Sequence, residues 1–348
     1  MIVTTQSESI ATRITDPDQV LAVHTRFQAF PRAIWLAVGA GIALALLAGC
    51  MTQAARMQLE KTIVARKAES LRGWETVSLD SAPILKTLGL RTAIVFRNFE
   101  SVTAWIDDSG VAGEGIPRAN ASTSAAAPIS EDGYFLTAAH SVENAETLNL
   151  SVAVRLVDGQ IRIETVPARI VWKSEGDVAE DRNRGEPRFL QDFAIVHANV
   201  GRITPFRLAE ELPQTDEPVI SAGWPFEHFG CFPDGAILAA GNILAVTRLD
   251  SRGPSPAGVA VLIDTPLVSG DSGGPALDRK GNLIGIHSQV GIRMSHLQGV
   301  AMLFGQAPDN FEDFEYSAVA YMPDPDWISE TIENDRRQRI TGSESSSP

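Results

Sequence analysis

The sequence predicts an all-β protein, a sandwich or barrel finished by one C-terminal helix. Three observations carry this. From Thr92 onward, short runs rich in Val, Ile, Thr and Phe alternate with Gly, Pro, Asp and Asn, the texture of many short strands joined by turns. Helical periodicity is absent from that stretch until residues 324–340. With 348 residues, 44% hydrophobic and 21% charged, the chain has the apolar content for a large core.

The elements follow in chain order. Residues 33–49, "AIWLAVGAGIALALLAG", carry no charge and follow Arg26 and Arg32. A basic flank, an apolar run and small residues form the order of a secretory signal. "LAGC" ends at Cys50 and resembles the lipobox of bacterial lipoproteins, whose cysteine is lipidated. The uncharged stretch continues through Ala55, 23 residues in all, enough to span a bilayer at about 20. A lipid anchor at Cys50 and a single-pass span therefore both remain open. Residues 51–72 read as a polar, basic helical stalk with a thin stripe of Met57, Leu59, Ile63 and Val64.

The predicted strands begin at "TAIVFRNF" (92–99) and continue through "YFLTAA", "LNLSVAVRLV", "IRIETVPARIVW", "DFAIVHANV", "PVISAGW", "ILAVTRL", "VAVLIDT" and "LIGIHSQV". "ANASTSAAAP" (119–128) and "SEGDVAEDRNRGEPR" (174–188) read as surface loops. In "DPDWISETIENDRRQRI" (324–340), Asp324 is the N-cap, Pro325 takes the first helical position, and acids precede arginines. Ile328 and Ile332 lie one turn apart and dock that helix. The expected divisions are a signal or anchor at 1–50, a stalk and linker at 51–89, the β-rich domain at 90–341 and a disordered tail at 342–348.

Composition excludes several functions. A formal net charge of -14 disfavours nucleic acid, whose phosphates need clustered Lys and Arg. Cys50 and Cys231 are the only cysteines, too few for a disulfide framework. The six histidines show no HxxxH or HExxH spacing, so neither metal nor other cofactor is expected.

One stretch carries chemistry. In "TPLVSGDSGGPALD" (265–278), Ser272 sits in a turn rich in glycine. Attack on an amide by a serine needs a base for its proton, a group that orients the base, and fixed N–H donors for the oxyanion. The N–H groups of Gly270 and Ser272 are the candidate donors. His140 follows the apolar run "YFLTAA" and is a candidate base. Asp192 opens "DFAIV", where a half-buried carboxylate needs a hydrogen-bonded partner. Asp177 and Asp181 compete for that role from a charged, loop-like segment.

"LTAAH", "DFAIV" and "GDSGGP", in that order, resemble the trypsin-like serine proteases of the chymotrypsin fold. The strings "ISEDGYFLTAAHSV", "ISAGWP" and "GNLIGIHSQVG" agree with this. The resemblance covers roughly residues 90–340. It implies two antiparallel six-stranded β-barrels with a C-terminal helix, and a serine endopeptidase acting on protein or peptide substrates. His140 is implied as general base, Asp192 as its orienting partner, Ser272 as nucleophile, and Gly270 with Ser272 as the oxyanion hole. Ser288 is implied to support the aspartate. Ser288, Gln289 and Val290 are implied to form the strand that pairs with substrate backbone, and Pro266, Leu267 and Val268 to line the primary pocket.

No acid stands among the pocket residues to receive Arg or Lys, which favours small or medium apolar side chains. Against this, "GIHS" (285–288) resembles the strand of glutamate-specific endopeptidases, though Leu267 replaces a polar residue those enzymes often carry. Ser141 stands where secreted animal enzymes usually have a disulfide cysteine, which points to the disulfide-free bacterial branch, including HtrA-like proteases. The expected location is the bacterial cell envelope, membrane-anchored and facing the periplasm or exterior.

Asp271 matches the aspartate that zymogen-type enzymes pair with a new N-terminus. No basic residue followed by an IVGG-like string precedes the domain, so Asp271 has another partner or activation works differently. Two rival functions stand beside the protease. One is a latent or catalytically inactive protease-fold binding protein. The other is an esterase with a G-x-S-x-G elbow, which the β-rich texture and the His-Asp-Ser order oppose.

Overall fold

The computed structural model describes residues 67–107, 110–155, 158–174, 191–224, 236–251, 255–265, 270–293 and 315–344. Cys50, Cys231, Asp177, Asp181 and the pocket residues Pro266, Leu267 and Val268 lie outside these. Among the described residues, no helix is long and apolar enough to cross a membrane.

Two β-systems make up the molecule. In the first, β3 (Ala93–Asp107), β4 (Gly110–Pro128), β5 (Tyr134–Thr137), β6 (Leu148–Arg155), β7 (Ile161–Lys173) and β8 (Ala194–Ala198) close in the order β3-β4-β5-β8-β7-β6. β5 and β8 are buried at every residue, which is why they read as continuous apolar runs rather than alternating ones. Val95, Phe135, Leu150, Val152, Val154 and Val196 fill this barrel.

The second system holds β9 (Arg207–Leu208), β10 (Pro218–Gly223), β11 (Ile237–Leu249), β12 (Gly258–Ile263), β13 (Pro275–Leu277), β14 (Asn282–Arg293) and β15 (Glu315–Pro323). They run in the order β13-β10-β11-β12-β15-β14-β9, and a further pairing of β13 with β14 closes six of the strands into a ring. β9 lies outside that ring, parallel to β14. The expected pair of six-stranded barrels is present.

The loop expected at 119–128 is not a loop. It is the second half of β4, with Ala125, Ala126 and Ala127 in the core. Its run of Ala, Ser and Thr resembles loop composition, yet small side chains are needed there because another backbone lies against it: the Ala125 N–H donates to the Ser272 carbonyl at 2.8 Å.

Of the segment expected as stalk and linker, the described residues 67–89 pack on the barrels. Residues 67–70 are helical, β1 (Ser78–Leu79) and β2 (Ala82–Pro83) form a small hairpin, and α1 spans Ile84–Arg91. Trp74, Leu79, Ile84 and Leu88 join Leu136, Ile195, Ile220, Leu277 and Ile286 in one cluster drawn from both barrels. Ordering this segment removes its apolar faces from water, at about 2 kcal/mol for each large side chain.

After the one-turn α2 (Ala139–Val142), the last helix among the described residues is α3 (Pro325–Glu344). Asp324 caps it, its Oδ1 accepting from the Asp326 N–H at 2.9 Å. Ile328 and Ile332 are buried beneath it. The helix reaches three residues into the expected tail.

Candidate active site

β5 ends at Thr137, and the chain turns at once into α2, which carries His140. Thr137 Oγ1 donates to the Ala125 carbonyl at 2.7 Å, tying the end of β5 to β4. Arg97 on β3 donates from Nη1 to the carbonyls of His140 (2.9 Å) and Glu143 (3.0 Å), satisfying groups that so short a helix leaves open. The His140 side chain is 47% exposed, its partner Asp192 16%.

Asp192 stands two residues before β8. It is held by Phe193, a fully buried ring that stacks on Trp172 (4.7 Å) and Tyr321 (4.9 Å) and meets Trp327 edge-on. Trp172 is on the first barrel, Tyr321 on the second and Trp327 on α3, so this aromatic cluster joins all three where the carboxylate emerges.

Asp192 Oδ2 lies 2.5 Å from His140 Nδ1, and Oδ1 accepts the His140 backbone N–H at 2.9 Å. The Ser288 hydroxyl donates to Oδ2 at 3.0 Å. A bulge between His287 and Gln289, where β14 pairs with β15, gives Ser288 its own register and aims it across the barrels. Burial works to raise the Asp192 carboxyl. The His140 ring, then its charge and N–H, then the Ser288 hydroxyl outweigh that and hold it below the usual carboxylate range. A carboxylate on Nδ1 keeps the proton on that nitrogen and leaves Nε2 as the basic lone pair.

Ser272 lies in the turn between β12 and β13, on the second barrel. The Gly274 N–H donates to the Asp271 carbonyl at 2.9 Å, and the Gly273 N–H to the His287 carbonyl at 2.6 Å. Gly273 has φ +79°. A Cβ there would lie 2.1 Å from the Ala125 carbonyl oxygen and 2.2 Å from Thr137 Oγ1, so no other residue fits. That close approach sets the Ser272 turn against Thr137 and Ala138, at the foot of the His140 helix. Gly270 (φ +99°) turns its carbonyl to the Trp224 N–H at 3.2 Å. Among the described residues, neither the Gly270 nor the Ser272 N–H donates a hydrogen bond. No hydrogen bond joins the Ser272 hydroxyl to His140, whose ring contacts Asp192.

Of the remaining expected residues, Gln289 and Val290 lie on β14, where their backbone pairs with Val319 and Ala318 of β15. The β13 pairing on the other edge of β14 stops at Ile286. His287 is buried, neither ring nitrogen having a hydrogen-bond partner among the described residues. Burial, with the Lys67 charge, pushes its pKa down to about 3. No group of three metal-ligating side chains occurs among the described residues.

Two residues escaped the sequence reading. Arg97 is one, since nothing marks a strand arginine as a helix cap. Lys67 is the other: its Nζ forms a buried ion pair with Asp271, across 204 positions of sequence.

The family model of the trypsin-like peptidase domain matches residues 125–286. No curated protein matches the chain in sequence. Similar solved structures include a variant of the HtrA-type protease AlgW with a tripeptide, at 18% identity, 70% coverage of this chain, 60% of that one and a TM-score of 0.41. A serine endoprotease from Yersinia pestis is 15% identical, with 71% and 63% coverage and a TM-score of 0.40. The chain thus spans about three-fifths of their length. The residues that match the trypsin-like peptidase domain model run from β4 of the first barrel to β14 of the second ring of strands.

Proposed function

We propose that this protein is a serine endopeptidase that cleaves peptide bonds through an acyl-enzyme, with His140 as base, Asp192 as its orienting partner and Ser272 as nucleophile. The observation that supports it most is the line of contacts from Ser288 through Asp192 to His140 Nδ1, beside the Gly270–Gly274 turn. In the reaction, His140 Nε2 takes the Ser272 proton as Oγ attacks the scissile carbonyl. The oxyanion meets the N–H groups of Gly270 and Ser272. Asp192 stabilises the imidazolium, which then gives its proton to the leaving amine. Water, deprotonated by His140, attacks the ester that remains and releases the acid and Ser272.

Substrate backbone adds along the β14 edge at Ser288, Gln289 and Val290. Such strand addition draws affinity from main-chain hydrogen bonds and specificity from pockets. Pro266, Leu267 and Val268 line the first pocket and favour small or medium apolar side chains. The enzyme is tethered in the bacterial envelope, by lipid at Cys50 or by a single span, and works outside the cytoplasmic membrane. Intact mass of membrane-extracted protein separates the two tethers.

Casein turnover tests the catalytic reading. Ser272→Ala should lower the chemical step on the order of 10⁶-fold; turnover that survives in that variant contradicts it. A latent enzyme is the second reading, favoured by the missing hydrogen bond between Ser272 and His140. Under it, added peptides raise turnover of the full chain from near zero.

A further inference from the structure

The ion pair between Lys67 and Asp271 has no role in the chemistry above, yet it lies one residue from the nucleophile. Each side chain is 1% exposed. Gly223 shapes the site: a Cβ there would fall 2.1 Å from Asp271 Oδ1 and 2.6 Å from its Cα. Lys67 is itself held firmly. Ser70 Oγ donates to the Lys67 carbonyl at 2.6 Å and accepts the Ala240 N–H of β11 at 2.8 Å. Four residues on from Ser70, Trp74 is buried in the cluster shared by the two barrels.

Asp271 sits between the two residues whose N–H groups form the oxyanion site. The turn's backbone is tied at the Gly270 and Ser272 carbonyls and at the Gly273 and Gly274 N–H groups, and the Lys67 pair adds a tie at the Asp271 side chain. Any rotation of the peptide planes at 270–272 swings the Asp271 carboxylate, and swinging it away strands a buried ammonium. An unpaired buried charge is costly, whereas a pair in fixed geometry holds both partners in place. The buried His287 ring makes no hydrogen bond through either nitrogen among the described residues, so the Lys67 ammonium is directed to Asp271.

We propose that Lys67 is a positioning residue for the oxyanion turn: its ammonium fixes Asp271 and, through it, the N–H groups of Gly270 and Ser272. The segment ahead of the barrels is then a built-in strap that orders the site with an internal cation, and no chain cleavage is needed to supply one. This rests on the Ser272 chemistry proposed above, but its first readout does not need catalysis.

The experiment compares the full-length chain with Lys67→Ala and with the double variant Lys67→Met/Asp271→Asn, which leaves no buried charge and so keeps the fold if the single variant loses it. Amide exchange read by mass spectrometry should rise at least about tenfold in the 270–274 peptide of both variants and stay unchanged in β5 and β8. Removing an oxyanion donor costs about 10²–10³-fold in kcat. A fall of that order is expected in both variants, with KM within a few-fold, and n-butylammonium should restore part of it in Lys67→Ala where butanol does not. Unchanged exchange at 270–274, or a double variant with wild-type kcat, overturns the proposal. If the wild-type chain has no turnover with or without added peptides, the Ser272 reading fails, and exchange alone decides the role of Lys67.

Discussion

Residue 273 shows how tightly the site is specified. Gly273 combines positive φ with a carbonyl and a hydroxyl oxygen where a Cβ would go. Gly273→Ala should therefore push the Ser272 turn off β4 and abolish turnover, while a urea melt detects a loss of a few kcal/mol at most. Wild-type turnover in that variant would contradict the packing. Asp192→Asn keeps the shape but loses the charge that fixes the His140 proton on Nδ1. A kcat loss of about 10⁴-fold is expected, and a loss under tenfold would remove Asp192 from the mechanism. At this scale the strings around 140 and 192 were legible, and the residues they single out meet in the structure. The sequence was silent on Lys67, because a lysine that pairs across 204 positions looks like any solvated lysine on a helix.

Among the elements, α3 is read most fully from sequence, and its polar face adds what periodicity cannot show. Asp335 accepts the Tyr134 hydroxyl at 2.7 Å and Arg169 Nη1 at 2.8 Å, while Arg339 donates to the same Tyr134 oxygen at 2.7 Å. Burial and Asp335 raise the Tyr134 phenol to about 12, so it remains a donor. Further along, Arg336 clamps Asp132 at 2.6 and 2.9 Å. Burial opposes ionisation of Asp132, but hydrogen bonds from Arg336 and Ser130 and the Arg336 charge overcome it and lower the carboxyl to about 2. A depressed carboxyl stabilises the fold above its ordinary value of 3.8, and that contribution is lost as pH falls toward 2. Wild-type Tm should therefore drop more steeply between pH 4 and pH 2 than that of Asp132→Asn. Parallel slopes would show that the clamp does not stabilise. β4 was missed for the opposite reason to α3. Its small residues serve a neighbouring backbone, and composition alone cannot distinguish that need from a loop.

At the scale of the whole molecule, two rings of strands meet through the aromatic cluster of Trp172, Phe193, Tyr321 and Trp327, and the segment 67–91 crosses the same junction. Alternating apolar runs foretold the barrels. They did not foretell that residues ahead of the first barrel strand complete the core, since Trp74, Leu79, Ile84 and Leu88 are spread over a turn, a short hairpin and an eight-residue helix, too brief to show a period. A chain begun at residue 90 leaves the partners of Trp74, Leu79, Ile84 and Leu88 uncovered, and circular dichroism should find no cooperative unfolding; a wild-type melt from that chain would restore the boundary at 90. The central claim is that this junction assembles a nucleophile at Ser272. It is tested most directly by treating the folded full-length chain with a fluorophosphonate and mapping the adduct by peptide mass spectrometry. One adduct on Ser272, lost in His140→Ala, is the predicted result. An adduct elsewhere, or equal labelling of Ser272 without His140, would contradict it.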